Sequence, residues 1–219
     1  MADREQRGKF ITFEGLDGCG KSTQLAKLAE VLRARTVDLV TTREPGGTDI
    51  GERVRALLLD SRTGGLDSRA ELALMFASRA QLIAEVIEPT LAAGKWVLCD
   101  RFTDSTEAYQ GVGRQLGVDA VLQLHRVLCR GLWPDLTILM DSEVDHSVKR
   151  ARRRNKNAQH DENRFEKESQ DFFARVREGF LAIALREPQR MVVVDARPPI
   201  ETVHREIVRI VSERVKNVV

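Results

Sequence analysis

The sequence predicts an α/β fold in which a five-stranded parallel sheet is covered by helices on both faces. Three observations carry that expectation. Short apolar runs alternate with longer segments whose apolar residues recur at helical spacing. The runs are mostly continuous rather than alternating, which suits strands buried on both faces. A glycine-rich segment follows the first run and precedes the first helix, at the carboxyl end of a strand, where such sheets bind ligands.

Taken in order, residues 10–13 read as the first strand. Residues 24–34 carry Leu25, Leu28, Ala29 and Leu32 as a helical stripe. Residues 37–41 form a second strand, and Pro45-Gly46-Gly47 a turn beyond it. Residues 69–93 read as one long helix, with Leu72, Phe76, Ile83 and Ile87 on one side and Gly94 as its stop. A third strand covers 96–99, and helices are expected over 103–110 and 118–128. The fourth and fifth strands cover 136–140 and 191–194. Two charged helices and a polar loop near 155–163 separate them, and a final helix covers 199–215.

The chain has 219 residues, 42% hydrophobic and 31% charged, enough for one core and one domain over 1–219. A net charge of +2 gives no global basic field of the nucleic-acid-binding kind. Cys19, Cys99 and Cys129 lie too far apart for a metal knuckle or redox pair and fit a reducing cytoplasm. The polar start and short apolar runs offer no signal core or membrane span, so a soluble cytoplasmic protein is expected. His125, His146, His160 and His204 show no ligand or triad spacing.

The chemistry begins at Gly15-Leu16-Asp17-Gly18-Cys19-Gly20-Lys21-Ser22, followed by Thr23, which matches G-x-x-x-x-G-K-[ST]. In this motif glycines let backbone N–H groups converge on phosphate oxygens, and the next helix adds its positive dipole end. Lys21 is placed to reach terminal phosphates and Ser22 to ligate Mg²⁺. Cys19 reads as a small residue in a variable position.

Residues after the other strands add to this. Arg43 and Glu44 sit where a ligand approaches, or in a solvated salt-bridged turn. Asp100, at a strand end, suits a carboxylate that orients Mg²⁺. Arg101 offers a fork for phosphate. Ser105 with Tyr109, and Thr106 with Gln110, are helical neighbours that could face a flat, hydrogen-bonding ligand. Arg79 stands on an apolar stripe, either snorkelling at the core's edge or lining a polar pocket. Residues 149–156 carry six positive charges in eight positions. That run reads as a solvated face, a nucleic-acid patch or, given the phosphate loop, a mobile cationic lid over about 145–166.

Together these residues resemble the bacterial thymidylate kinase (dTMP kinase) family from end to end. The resemblance rests on Phe13-Glu14-Gly15-Leu16-Asp17, Arg43-Glu44-Pro45-Gly46-Gly47-Thr48, Asp100-Arg101-Phe102 with Ser105, Ala108-Tyr109-Gln110 and Gly113-Arg114, Asn163-Arg164-Phe165-Glu166, and Val194-Asp195-Ala196. It implies a three-layer P-loop kinase fold, ATP as phosphoryl donor with Mg²⁺, dTMP as acceptor, and a homodimer, with no nucleic-acid or membrane partner. Asp17 would contact the sugar 3′-hydroxyl and Arg101 the dTMP phosphate. Arg79 would bond the thymine ring. Glu44, Pro45, Ser105, Thr106, Tyr109 and Gln110 would line the acceptor pocket, Tyr109 on the 2′ side. Arg150 would lie against adenine, with Ala196 at its edge, and Arg152 or Arg154 would supply lid charge to the transferring group. Gly18 stands where some members carry a P-loop arginine, which places this chain with those whose lid supplies it.

Two positions depart from the family pattern. Met75 replaces the usual aromatic residue on thymine, so either Met75 packs on the ring or Phe76 swings in. Asn163 replaces the lid's usual aspartate.

The nearest rival reading is a kinase of another nucleoside or monophosphate. A P-loop switch or ATPase, and a nucleic-acid binder using residues 149–156, are rivals of other classes.

Overall fold

A computed structural model describes residues 7–60, 62, 65–155 and 164–215, apart from the side chains at 152, 154, 155 and 166. Five parallel strands form the sheet: β1 (Phe10–Glu14), β2 (Leu39–Arg43), β3 (Trp96–Asp100), β4 (Leu136–Asp141) and β5 (Met191–Asp195). Their spatial order is β2-β3-β1-β4-β5, with β1 at the centre. Every side chain of β1 is buried, the polar Thr12 and Glu14 included, as befits a central strand covered on both faces. The second strand starts two residues later than the sequence suggests and runs through Arg43.

One face is covered by α1 (Lys21–Ala34) and α9 (Ile200–Arg214). Leu25, Leu28 and Leu32 of α1 and Ile207 and Val211 of α9 pack there with Phe13, Leu98, Ile138 and Met140. The other face carries α3 (Ser68–Leu82), α6 (Val118–Leu128) and α8 (Gln170–Arg186). Its core divides into one cluster around Phe10, Phe76, Val97 and Phe102, and another around Tyr109, Leu139, Phe172, Val176 and Phe180.

Some helices differ from the expected pattern. The long helix is α3, a π-helical turn at Ile83–Ile87 and α4 (Glu88–Ala92), so its period is broken once. The helix after β3 starts as α5 (Thr103–Thr106) and widens into a π-helix at Glu107–Gly113. Such wide turns change which side chains share a face and recur at functional sites. A further helix, α2 (Asp49–Leu59), was not expected; the Thr48 side chain caps it by accepting from the Gly51 N–H. Residues 149–155 of the basic run lie on α7 (Val144–Asn155), and Lys156 lies outside the described residues.

Candidate active site

The carboxyl ends of β1, β2 and β3 open on a cavity of about 460 Å³. The phosphate loop forms one end. Gly15 has φ 131°, and a Cβ there would lie 2.4 Å from the Met140 carbonyl oxygen. Only glycine fits that close passage over the sheet. α1 starts without a side-chain cap, so its first N–H groups and dipole remain for an anion. Lys21 is buried and donates from Nζ to the Gly15 and Leu16 carbonyls at 3.1 and 2.9 Å. The Leu16 and Cys19 side chains are buried among apolar groups, so these residues can meet a phosphate only through backbone.

Gly18 has φ 85°, and a Cβ there would lie 2.2 Å from the Ser147 carbonyl oxygen and 2.9 Å from the Ala151 nitrogen. Helix α7 therefore rests directly on the phosphate loop. An arginine at position 18 has no room in this packing. Arg150, on the same helix, is exposed and lines the cavity. The Arg152 and Arg154 side chains, and residue 163, lie outside the described residues.

Ser22 and Asp100 meet beside the loop, the Ser22 hydroxyl donating to Asp100 Oδ2 at 2.6 Å. A hydroxyl and a carboxylate give the hard oxygen donors Mg²⁺ takes, with its other positions left to water and phosphate. These two residues fit the cation. Among the described residues no cluster of three or more His, Cys, Asp or Glu side chains offers a closed metal site.

Arg101 links the two ends of the cavity. Its backbone is left-handed, with φ 73°. Nη1 donates to Ser105 Oγ at 2.7 Å, and Nη2 to Asp17 Oδ1 at 2.8 Å and the Tyr109 hydroxyl at 3.3 Å. The guanidinium lies 5.0 Å from the Tyr109 ring centroid. Burial pushes the Tyr109 hydroxyl far up, so it stays protonated. Burial works against the Arg101 charge, but the neighbouring Asp17 and Asp100 carboxylates outweigh it.

Glu14 sits beneath this turn, fully buried. Oε1 accepts from the Phe102 N–H at 2.7 Å, and Oε2 accepts from the Ser105 hydroxyl. Burial, with Asp104 adding to it, pushes its carboxyl up to about 8 against the pull of Arg101. The sequence reading gave Glu14 no role beyond the family pattern.

At the far end, Arg79 is 2% exposed. It pairs with Glu44 through Nε at 2.5 Å, and Nη2 donates to Thr106 Oγ1 at 2.8 Å and the Phe102 carbonyl at 3.2 Å. The guanidinium also lies 4.9 Å from the Phe76 ring centroid. Arg79 Nη1 is buried and has no partner among the described residues. This is the polar-pocket alternative; Arg79 does not snorkel. Burial pushes the Glu44 carboxyl up to about 7 despite Arg79.

Most expected site residues thus meet in one cavity: Asp17, Gly18, Gly20, Lys21, Ser22, Thr23, Glu44, Pro45, Met75, Arg79, Asp100, Arg101, Ser105, Thr106, Tyr109, Gln110 and Arg150. Gly15, Leu16 and Cys19 of the phosphate loop are not part of its lining, and Phe76 and Ala196 lie away from it. Phe76 is fully buried in the core with Phe10 and Phe102, and Met75 takes the cavity-facing position next to it. The α3 turn sends adjacent side chains about 100° apart, so only one of the two can face in. Ala196 lies past the end of β5, its N–H donating to the Asp141 carbonyl at 2.8 Å, beside the core under α9. Leu59 and Arg55 of the unexpected α2, Phe165, Phe102 and Arg43, which also pairs with Glu52 at 2.9 Å, complete the lining. The capping signal at Thr48 and the apolar spacing of Val54 and Leu58 could have announced α2.

A family model described as Thymidylate kinase matches residues 13–207. The chain belongs to the thymidylate kinase family. It is 54% identical over 196 residues to a thymidylate kinase of Desulfovibrio desulfuricans, covering 89% of this chain and 90% of that one. A thymidylate kinase of Geobacter sulfurreducens is 46% identical over 209 residues, covering 95% and 98%. Among solved structures, thymidylate kinase from Ehrlichia chaffeensis aligns with a TM-score of 0.75 at 36% identity, covering 94% of this chain and 99% of that one. Membership agrees with the P-loop kinase fold. Among the described residues no helix is long and apolar enough to cross a membrane.

Proposed function

We propose that this thymidylate kinase family member transfers the γ-phosphoryl group of ATP to the 5′-phosphate of dTMP, giving dTDP and ADP. The observation that carries the reading is Arg101. One partly buried guanidinium, held by Asp17 of the phosphate loop and by Ser105 and Tyr109 of the opposite wall, stands between the phosphate loop and the acceptor half of the cavity. An acceptor phosphate bound by its fork is aimed at a triphosphate bound by the loop.

The donor triphosphate lies on the backbone of residues 15–22, at the amino end of α1. Lys21, released from the Gly15 and Leu16 carbonyls, turns to its terminal phosphates. Ser22 and Asp100 would hold Mg²⁺, which when bound would neutralise charge on the phosphates. Arg150 lies against the adenine, and Arg152 or Arg154 supplies lid charge to the transferring group. Gly18, packed under α7, leaves that task to the lid.

The acceptor enters the other half of the cavity. Arg79 Nη1 and Gln110 meet the base, Met75 packs on the ring, and Pro45 and Thr106 close the sides. Asp17 takes the 3′-hydroxyl, and Tyr109 fills the 2′ side. The acceptor phosphate is already ionised near neutral pH, so positioning and charge neutralisation, rather than a strong base, lower the barrier. The enzyme acts in the cytoplasm as a single domain and a homodimer.

A coupled assay across dTMP, dUMP, dCMP, UMP and thymidine tests the substrate. dTMP should give the highest kcat/KM. ATP hydrolysis indifferent to every acceptor would point to a switch or ATPase instead.

A further inference from the structure

Glu71 is 1% exposed on α3 and does not line the cavity, yet three side chains converge on it. Gln110 Nε2 donates to Oε1 at 2.7 Å. Arg114 donates from Nε and Nη2 at 3.3 and 3.2 Å, and Arg164 Nη1 lies 2.7 Å from Oε2. A carboxylate between two guanidiniums only accepts hydrogen bonds. It therefore accepts the NH₂ of Gln110 and rejects its carbonyl. The orientation of the Gln110 amide follows from this chemistry. With Nε2 spent on Glu71, Oε1 is left for the cavity that Gln110 walls.

We infer that Glu71 is a positioning residue for base selection: it locks the Gln110 amide so that Oε1 faces the acceptor cavity. The inference rests on the function proposed above. Arg79, joined to the same helical stretch through Thr106, brings a buried, unpartnered Nη1 donor to this end of the cavity. One acceptor and one donor side by side match a pyrimidine with an N–H at ring position 3 and a carbonyl at position 4. Thymine and uracil carry that pattern. Cytosine carries its inverse, a bare ring nitrogen beside an amino group. With Oε1 fixed inward, cytosine sets lone pair against lone pair and leaves buried groups unpaired.

The substitution Glu71→Gln separates this from a purely structural role. Arg114 and Arg164 would claim the new side chain's carbonyl, turning its NH₂ to Gln110. Gln110 would then turn its own oxygen away from the cavity and present NH₂ to the base. Glu71→Asp keeps an acceptor-only group. Steady-state kinetics at saturating ATP should show the dTMP/dCMP ratio of kcat/KM falling about 100-fold in Glu71→Gln. The change should lie in KM for the nucleoside monophosphate, not KM for ATP, and Glu71→Asp should keep the wild-type preference. A folded Glu71→Gln enzyme with the wild-type ratio overturns the inference.

If that variant does not fold, wild-type protein labelled with ¹⁵N-glutamine decides. The Gln110 NH₂ protons should exchange slowly, with and without dTMP. Exchange as fast as that of a surface glutamine overturns the inference. Wild-type protein that turns over no dTMP contradicts the function reading instead, and the amide measurement without nucleotide still decides how Gln110 is held.

Discussion

Replacing Glu44 with alanine strands a charge. Arg79 and Glu44 are 2% and 3% exposed and pair at 2.5 Å. Removing one partner of a buried pair costs about 3–5 kcal/mol, because the other charge stays desolvated. Arg79 keeps Thr106, the Phe102 carbonyl and two aromatic faces, and the cavity can admit water. The lower end, about 3 kcal/mol, is therefore expected. For a chain of this size each kcal/mol moves Tm by about 2–4 °C, so Glu44→Ala should melt about 6–12 °C below wild type. The melt should be followed by circular dichroism near pH 8, where Glu44 is mostly ionised, since burial pushes its carboxyl up to about 7. Adding Arg79→Met should recover much of the loss, because no unpaired charge then remains. A Glu44→Ala protein melting within about 2 °C of wild type would refute the claim that this pair is a desolvated, mutually dependent unit.

Lys21→Ala should lower kcat by at least about 100-fold with the fold intact, as expected when a charge aimed at the transferring group is lost; wild-type turnover would remove Lys21 from the mechanism. Gly18→Ala should cost activity through the lid, because its Cβ meets α7 backbone at 2.2 Å; the expected sign is a lower kcat with KM for dTMP little changed, read in the coupled assay. Asp100→Asn should raise the Mg²⁺ concentration needed for half-maximal rate, and an unchanged Mg²⁺ titration would detach Asp100 from the cation. Glu14 gives a pH prediction. Its folded pKa, about 8, lies above its ordinary 4.5, so its protonated form adds stability that is full below about pH 4.5 and drains as pH rises through about 8. Urea unfolding at about pH 5, 6.5 and 8 should show Glu14→Gln, which cannot ionise, gaining on wild type as pH rises by up to about 1.4 kcal/mol per unit; a constant difference would contradict it.

Much of this site was legible because a parallel sheet forces loops after its strands together. That rule alone brought Lys21, after β1, to one place with Asp100 and Arg101, at the end of β3. Arg79 was legible for the opposite reason, as a charge breaking an apolar stripe. What stayed hidden depends on long-range packing. Glu71 looks like an ordinary first-turn carboxylate of α3 until Gln110, Arg114 and Arg164 arrive from elsewhere in the chain. Glu14 sits in a strand whose neighbours are apolar, and nothing local says its partners are Phe102 and Ser105. The π-helical stretch that carries Tyr109 and Gln110 follows from packing on α8 rather than from residue spacing. Met75 against Phe76 could be posed from sequence, but only the rotation of α3 decides which one faces the cavity.

The most direct test of phosphoryl transfer to a second phosphate follows the phosphorus itself. Enzyme, Mg²⁺, dTMP and γ-labelled ATP are mixed and the products separated. The account predicts that label leaves ATP and appears as the β-phosphate of dTDP, one for each ADP formed. Label released as inorganic phosphate, with dTMP unchanged, would contradict it.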